Sequence, residues 1–118
     1  MPDRLPAHGL TAQQLGELRH VLAPFAGQID RVALFGSRAT GTARPNSDID
    51  LVLYGDVPAA IVDRLWTLFD ASQLAIKVDV LAYDTIATPA LKVHIDAVGQ
   101  TLFSRDALQK LGAGAKAA

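Results

Sequence analysis

Asp48 and Asp50, two carboxylates one residue apart at the head of an apolar run, constrain this chain more than any other pair of letters. The run continues through Leu51, Val52, Leu53 and Tyr54, which reads as a β-strand. Side chains alternate across a strand, so Asp48 and Asp50 fall on one face while Ile49, Leu51 and Leu53 fall on the other. Upstream, the short apolar run Val32 to Phe35 ends in Gly36-Ser37, and ten residues separate Ser37 from Asp48. The pattern is strand, glycine turn, polar excursion, strand. Two carboxylates held side by side repel, and each has its pKa raised unless a cation lies between them. A divalent metal is the ordinary remedy; magnesium takes one or two carboxylates together with phosphate oxygens of a substrate. Gly36 allows a backbone conformation that a side chain would obstruct, and Ser37 stands where a short helix, roughly Arg38 to Thr40, begins. Opening N–H groups at such a place suit an anion.

Gly36-Ser37, ten residues, then Asp48-Ile49-Asp50 resembles the signature of the nucleotidyltransferases of the DNA polymerase beta superfamily, and within it the small, single-domain prokaryotic members. The resemblance spans about residues 11 to 103. It implies an α+β fold, a palm-like small mixed β-sheet backed by helices. A dinucleotide-binding fold fits less well, because only Gly36 follows the first strand in the required way and no long helix joins the first two strands.

Composition agrees with one compact domain. Half of the 118 residues are hydrophobic, which argues against disorder, and the net charge of -1 gives no bulk attraction to long nucleic acid or to a membrane surface. The absence of cysteine excludes a disulfide framework and a thiolate zinc site. No apolar stretch of about 18 residues and no secretory signal pattern occur, so a cytoplasmic protein is expected. The domain division expected is a loose lead-in over residues 1–10, a nucleotidyltransferase domain over 11–104, and a terminal helical turn with a flexible tail over 105–118.

In chain order, Thr11 is placed to cap a helix reaching about Phe25, with Leu15, Leu18 and Leu22 on its apolar face and Pro24 near its end. The excursion from Arg38 to Ser47 reads as a short helical turn followed by an ordered loop, since Pro45-Asn46-Ser47-Asp48 is turn chemistry. Arg38 and Arg44 are candidates to reach phosphate or are solvated surface arginines. A second long helix, from about Ala59 to Ala71, carries Ile61, Val62, Leu65, Leu68 and Phe69 inward, with Trp66 beside that stripe as a core-edge residue or a partner contact. A third strand is expected over Leu74 to Leu81, in which Lys77 and Asp79 share a face. Asp79 is salt-bridged, on an exposed strand face or, if its strand lies beside that of Asp50, the completion of a three-carboxylate cluster. Lys77 would screen those carboxylates, touch phosphate or form a structural charge pair. Pro89 to about Val98 reads as a last helix ended by Gly99, and Thr101 to Phe103 as a brief strand.

The resemblance implies roles for these positions. A third acidic residue on a later neighbouring strand is a property of the family, and Asp79 matches it. Asp48, Asp50 and Asp79 are then the catalytic and metal-holding residues for two magnesium ions. Gly36 and Ser37 cradle the β and γ phosphates of a nucleoside triphosphate, most simply ATP, with Arg38, Arg44 and Lys77 as further candidates around it. The reaction implied is nucleotidyl transfer, in which a hydroxyl attacks the α phosphorus and pyrophosphate leaves. Minimal members of this kind are encoded with a helical HEPN toxin and act as its antitoxin by attaching AMP to one of its tyrosines. Two alternatives stand beside that reading: a small-molecule nucleotidyltransferase similar to the aminoglycoside enzymes and working as a homodimer, the homo-oligomer among the expected partners, and an antitoxin that neutralises by binding alone.

Overall fold

The computed structural model describes residues 9–44 and 46–109. The readings made above for the lead-in up to residue 8, for Pro45 and for the tail from Lys110 lie outside the described residues.

Four strands form one mixed sheet. They are β1 (Arg31–Phe35), β2 (Ile49–Tyr54), β3 (Val78–Ala82) and β4 (Gln100–Ser104), in the spatial order β3-β2-β1-β4. β1 runs antiparallel to both β2 and β4, with Phe35 opposite Asp50 and Leu34 opposite Leu51. β2 and β3 are parallel, and their register sets Asp50 directly opposite Asp79. A parallel pair requires a crossover, which here is the helix α3 (Ala59–Asp70). This is the α+β arrangement expected from the sequence.

Alternation along the strands divides the sheet into two faces. Val32, Leu34, Ile49, Leu51, Leu53, Val78 and Val80 point into the larger core, where they meet Leu18 and Leu22 of α1 (Ala12–Leu22) and Leu65 and Phe69 of α3. The capping box expected at the start of α1 is present: Thr11 Oγ1 accepts from the Gln14 amide and the Gln14 side chain accepts from the Thr11 amide. Pro24 lies in a 3-10 turn, Ala23–Phe25, that extends α1. Leu10, read as part of the lead-in, is instead buried in this core. The opposite face carries Ala33, Phe35 and Val52, covered in part by Ile95 of α4 (Pro89–Val98). Asp50 and Asp79 belong to this second face, beyond the part that α4 covers.

The third strand differs from the expectation at its start. It begins at Val78 rather than Leu74, because ladder pairing begins where the Ile49 amide donates to the Lys77 carbonyl at 2.9 Å. Before that point Ser72 turns the chain, its hydroxyl donating to the Phe69 carbonyl and accepting from the Leu74 amide. Residues 105–109 are helical, and Arg105 fastens them to the entrance of β1 through Asp30 at 2.6 Å and the Ile29 carbonyl at 3.1 Å.

Candidate active site

The site is assembled where β1 ends and β2 begins. At the end of β1, Gly36 turns the chain into the four-residue helix α2 (Ser37–Thr40) with φ 71° and ψ -154°, a combination open in practice only to glycine. A Cβ at this position would run into Asp50 Oδ2 and stand 3.3 Å from its Cγ. The glycine turn and the carboxylate are therefore fitted to each other, which is a stronger constraint than the turn chemistry read from the sequence. Ser37 opens α2 beside this turn. The first N–H groups of a helix have no partner within it, so the place suits an anion.

Asp50 and Asp79, opposite one another on the parallel pair, are both half-buried. Burial first, then the neighbouring Asp79 carboxyl and the charge of Asp48 push the Asp50 carboxyl from 3.8 up to about 6, against the opposing pull of Lys77. Lys77 Nζ lies 3.5 Å from Asp79 Oδ1, an ion-pair distance, yet that oxygen is buried and has no hydrogen-bond partner among the described residues. Asp48 is exposed, one residue before β2. It reaches Asp50 by charge, but among the described residues no three carboxylates are drawn together into a ready-made metal cage. The donor set is hard oxygen throughout, and one of its buried carboxylate oxygens accepts no hydrogen bond among the described residues. These residues fit a magnesium ion.

The raised Asp50 value has a consequence for the metal-free protein. A carboxyl with a folded pKa above its unfolded one stabilises the fold below the unfolded value, and that contribution is lost as pH rises through about 6. In the presence of a chelator, the melting temperature is expected to fall between about pH 4 and pH 6 by a component traceable to Asp50. Thermal melts of wild type and Asp50→Asn across that range check it: the component is the part of the pH dependence absent from the variant.

The remaining sequence candidates take different places. Arg44 is exposed, its amide donating to Ser47 Oγ at 2.8 Å. Lys77, besides its pairing with Asp79, stands 5.9 Å from the centre of the Trp66 ring. Trp66 is 38% exposed and donates its indole N–H to the Val80 carbonyl on the outer strand β3 at 3.1 Å, so it is anchored at the core edge with part of its ring outside. A groove of about 320 Å³ runs between Trp66, Phe69, Leu74 and Lys77. Arg38 departs most from its expected place: it is buried, with its guanidinium among loop carbonyls rather than turned out toward a ligand. Nothing in the letters marked it, because an arginine after a turn serine reads as surface. The sequence also gave no sign of a stack on the α4 side, where Tyr54 and Tyr83 lie 4.8 Å apart with Arg31 over one ring and Lys92 over the other.

A mixed sheet that pairs two carboxylates across parallel strands beside a glycine turn defines a nucleotidyltransferase palm. The family model for polymerase beta nucleotidyltransferases matches residues 17–108, and the chain belongs to that family. Its reaction class is nucleotidyl transfer. Among solved structures, the fold is similar to a chain of a toxin–antitoxin complex with AMP-PNP, at 20% identity and a TM-score of 0.61 over 86% of each chain. It is also similar to a chain of the toxin–antitoxin MntA–HepT, at 19% identity and a TM-score of 0.59 over 86% of this chain and 79% of that one. A third likeness is to a chain of the complex of tri-AMPylated Shewanella oneidensis HEPN toxin with MNT antitoxin, at 19% identity and a TM-score of 0.56 over 76% of this chain and 69% of that one. No curated protein sequence gives a significant match. Among the described residues no helix is long and apolar enough to cross a membrane.

Proposed function

We propose that this protein is a magnesium-dependent adenylyltransferase that moves AMP from ATP to a tyrosine hydroxyl of a helical HEPN toxin and thereby acts as its antitoxin in the cytoplasm. The observation that carries the chemistry is the Asp50–Asp79 pair, set opposite each other by strand register and fitted against the Gly36 turn. Asp48, Asp50 and Asp79 would hold the metal. Gly36 and Ser37 would receive the phosphates of ATP, with Arg44 and Lys77 as exposed cations on either side. When bound, magnesium lowers the pKa of the attacking hydroxyl and neutralises charge on the departing pyrophosphate. The acceptor oxygen bonds to the α phosphorus as the bond from that phosphorus to the bridging oxygen breaks, so one AMP is gained for each pyrophosphate released. Support for the acceptor comes from the folds this chain is similar to: one complex carries AMP-PNP and another holds a tri-AMPylated HEPN toxin.

The test is to incubate the protein with magnesium, ATP and a helical protein encoded beside it, and to weigh the partner intact. Each transferred AMP is expected to add about 329 Da, and Asp79→Ala is expected to add none while still binding the partner. A partner left at its original mass by wild type, together with equal toxin inhibition by wild type and Asp79→Ala, rejects transfer in favour of neutralisation by binding.

A further inference from the structure

We infer that Arg38 is a positioning residue, a clip that holds the loop delivering Asp48 to the carboxylate pair. The inference rests on the reading of Asp48, Asp50 and Asp79 as the metal-holding carboxylates. Arg38 is 1% exposed and is the one charged residue buried among the described residues, a costly place for a cation unless its donors are used. Its Nη2 donates to the Ser47 carbonyl at 2.9 Å and lies 3.5 Å from that of Arg44. Those two residues are tied to each other as well: the Ser47 amide donates to the Arg44 carbonyl at 3.0 Å, and the Arg44 amide to Ser47 Oγ at 2.8 Å. Arg38 thus grips both ends of one closed turn.

Asp48 follows that turn directly and belongs to no helix or strand. Its position is set from its two neighbours. On one side the Ser47 carbonyl is held by Arg38; on the other, the Ile49 amide is pinned to the Lys77 carbonyl at 2.9 Å. The base of the clip is itself fixed, since the Ala39 carbonyl accepts from Gln100 Nε2 at 2.9 Å, tying α2 to β4. A flat guanidinium with several donors can serve two carbonyls at once, whereas a lysine ammonium is a point charge on a flexible stem. A side chain spent in this way holds the backbone beside Asp48, while its charge also acts on Asp50.

Arg38→Lys and Arg38→Met test the clip, read by amide hydrogen exchange on the metal-free protein and by Mn²⁺ binding without nucleotide, followed by electron paramagnetic resonance. Both variants are expected to speed exchange at the amides around Ser47, leave those of Leu51 to Leu53 as in wild type, and weaken Mn²⁺ binding about tenfold, the scale typical of groups that orient metal ligands. Arg38→Lys keeps charge and bulk, so it carries the test if Arg38→Met does not fold. Unchanged loop exchange and Mn²⁺ affinity with weakened ATP binding would overturn the inference and make Arg38 a phosphate ligand. Exchange raised evenly through the sheet would overturn it in favour of a general core role. If wild type binds no Mn²⁺, the metal reading fails, and loop exchange in Arg38→Lys alone then supports or overturns the clip.

Discussion

Asp50→Asn is expected to stabilise the metal-free protein and to abolish nucleotidyl transfer in the same stroke. The variant removes a carboxylate that burial and two neighbouring aspartates hold up at about 6, so above that pH the wild-type fold carries a destabilising charge that asparagine lacks. Partial exposure of Asp50 screens the effect, leaving a gain of about 1 kcal/mol at pH 7.5 that shrinks toward zero near pH 4. Transfer moves the other way. On the proposed role of Asp50 in holding the metal, its loss removes several kcal/mol of transition-state stabilisation, a fall of about 10³-fold or more in rate. Urea melts in chelator and a pyrophosphate-release assay read the two effects on one preparation. A variant less stable than wild type at pH 7.5, or one that retains transfer, contradicts the assigned role.

Gly36→Ala is expected to damage fold and activity together, for a reason that can be separated from glycine strain in general. Gly36 combines a positive φ with a wall formed by the Asp50 carboxylate, so alanine meets both a forbidden backbone conformation and a collision. Backbone strain of this kind costs about 1–3 kcal/mol. Displacing Asp50 by even ~1 Å costs about 10²-fold in rate. Gly41 is the internal control: it ends α2 at φ 81° with open space where a Cβ would stand. Gly41→Ala is therefore expected to cost about 1–2 kcal/mol of left-handed strain while leaving transfer near wild type. Equal loss of transfer in both variants would show that turn strain alone, and not the contact with Asp50, governs the site.

The parts of this molecule that were legible in the sequence are those governed by local rules. Two-residue alternation placed Asp50 on the face opposite Leu51 and Leu53, and turn chemistry placed Gly36 at the end of a strand. Thr11 announced α1, and Pro89 announced α4. Strand order was not legible, because pairing is decided by contacts between distant segments. Asp79 could be placed beside Asp50 only through a family resemblance, and the register supplies the geometry. Leu74 and Ile76 alternate like a strand, yet among the described residues no neighbouring strand meets them, and Ser72 turns that segment instead. Arg38 was read as a phosphate contact or a solvated surface arginine, because its burial depends on carbonyls of a loop that has no periodic pattern. Trp66 showed its bulk but not its bond to Val80.

The pairing of Asp50 with Asp79 across a crossover also sets when the site comes into being. Everything from Gly36 to Asp50 lies between two antiparallel strands that meet through a nearby connection, whereas Asp79 joins only after the chain has passed through α3 and returned alongside β2. Contacts that close over longer stretches of chain form later, and during synthesis the N-terminal part emerges first. A nascent chain thus owns its glycine turn and two of its aspartates well before it owns the third. On the proposed reading of Asp79, the site is incomplete until β3 has joined the sheet.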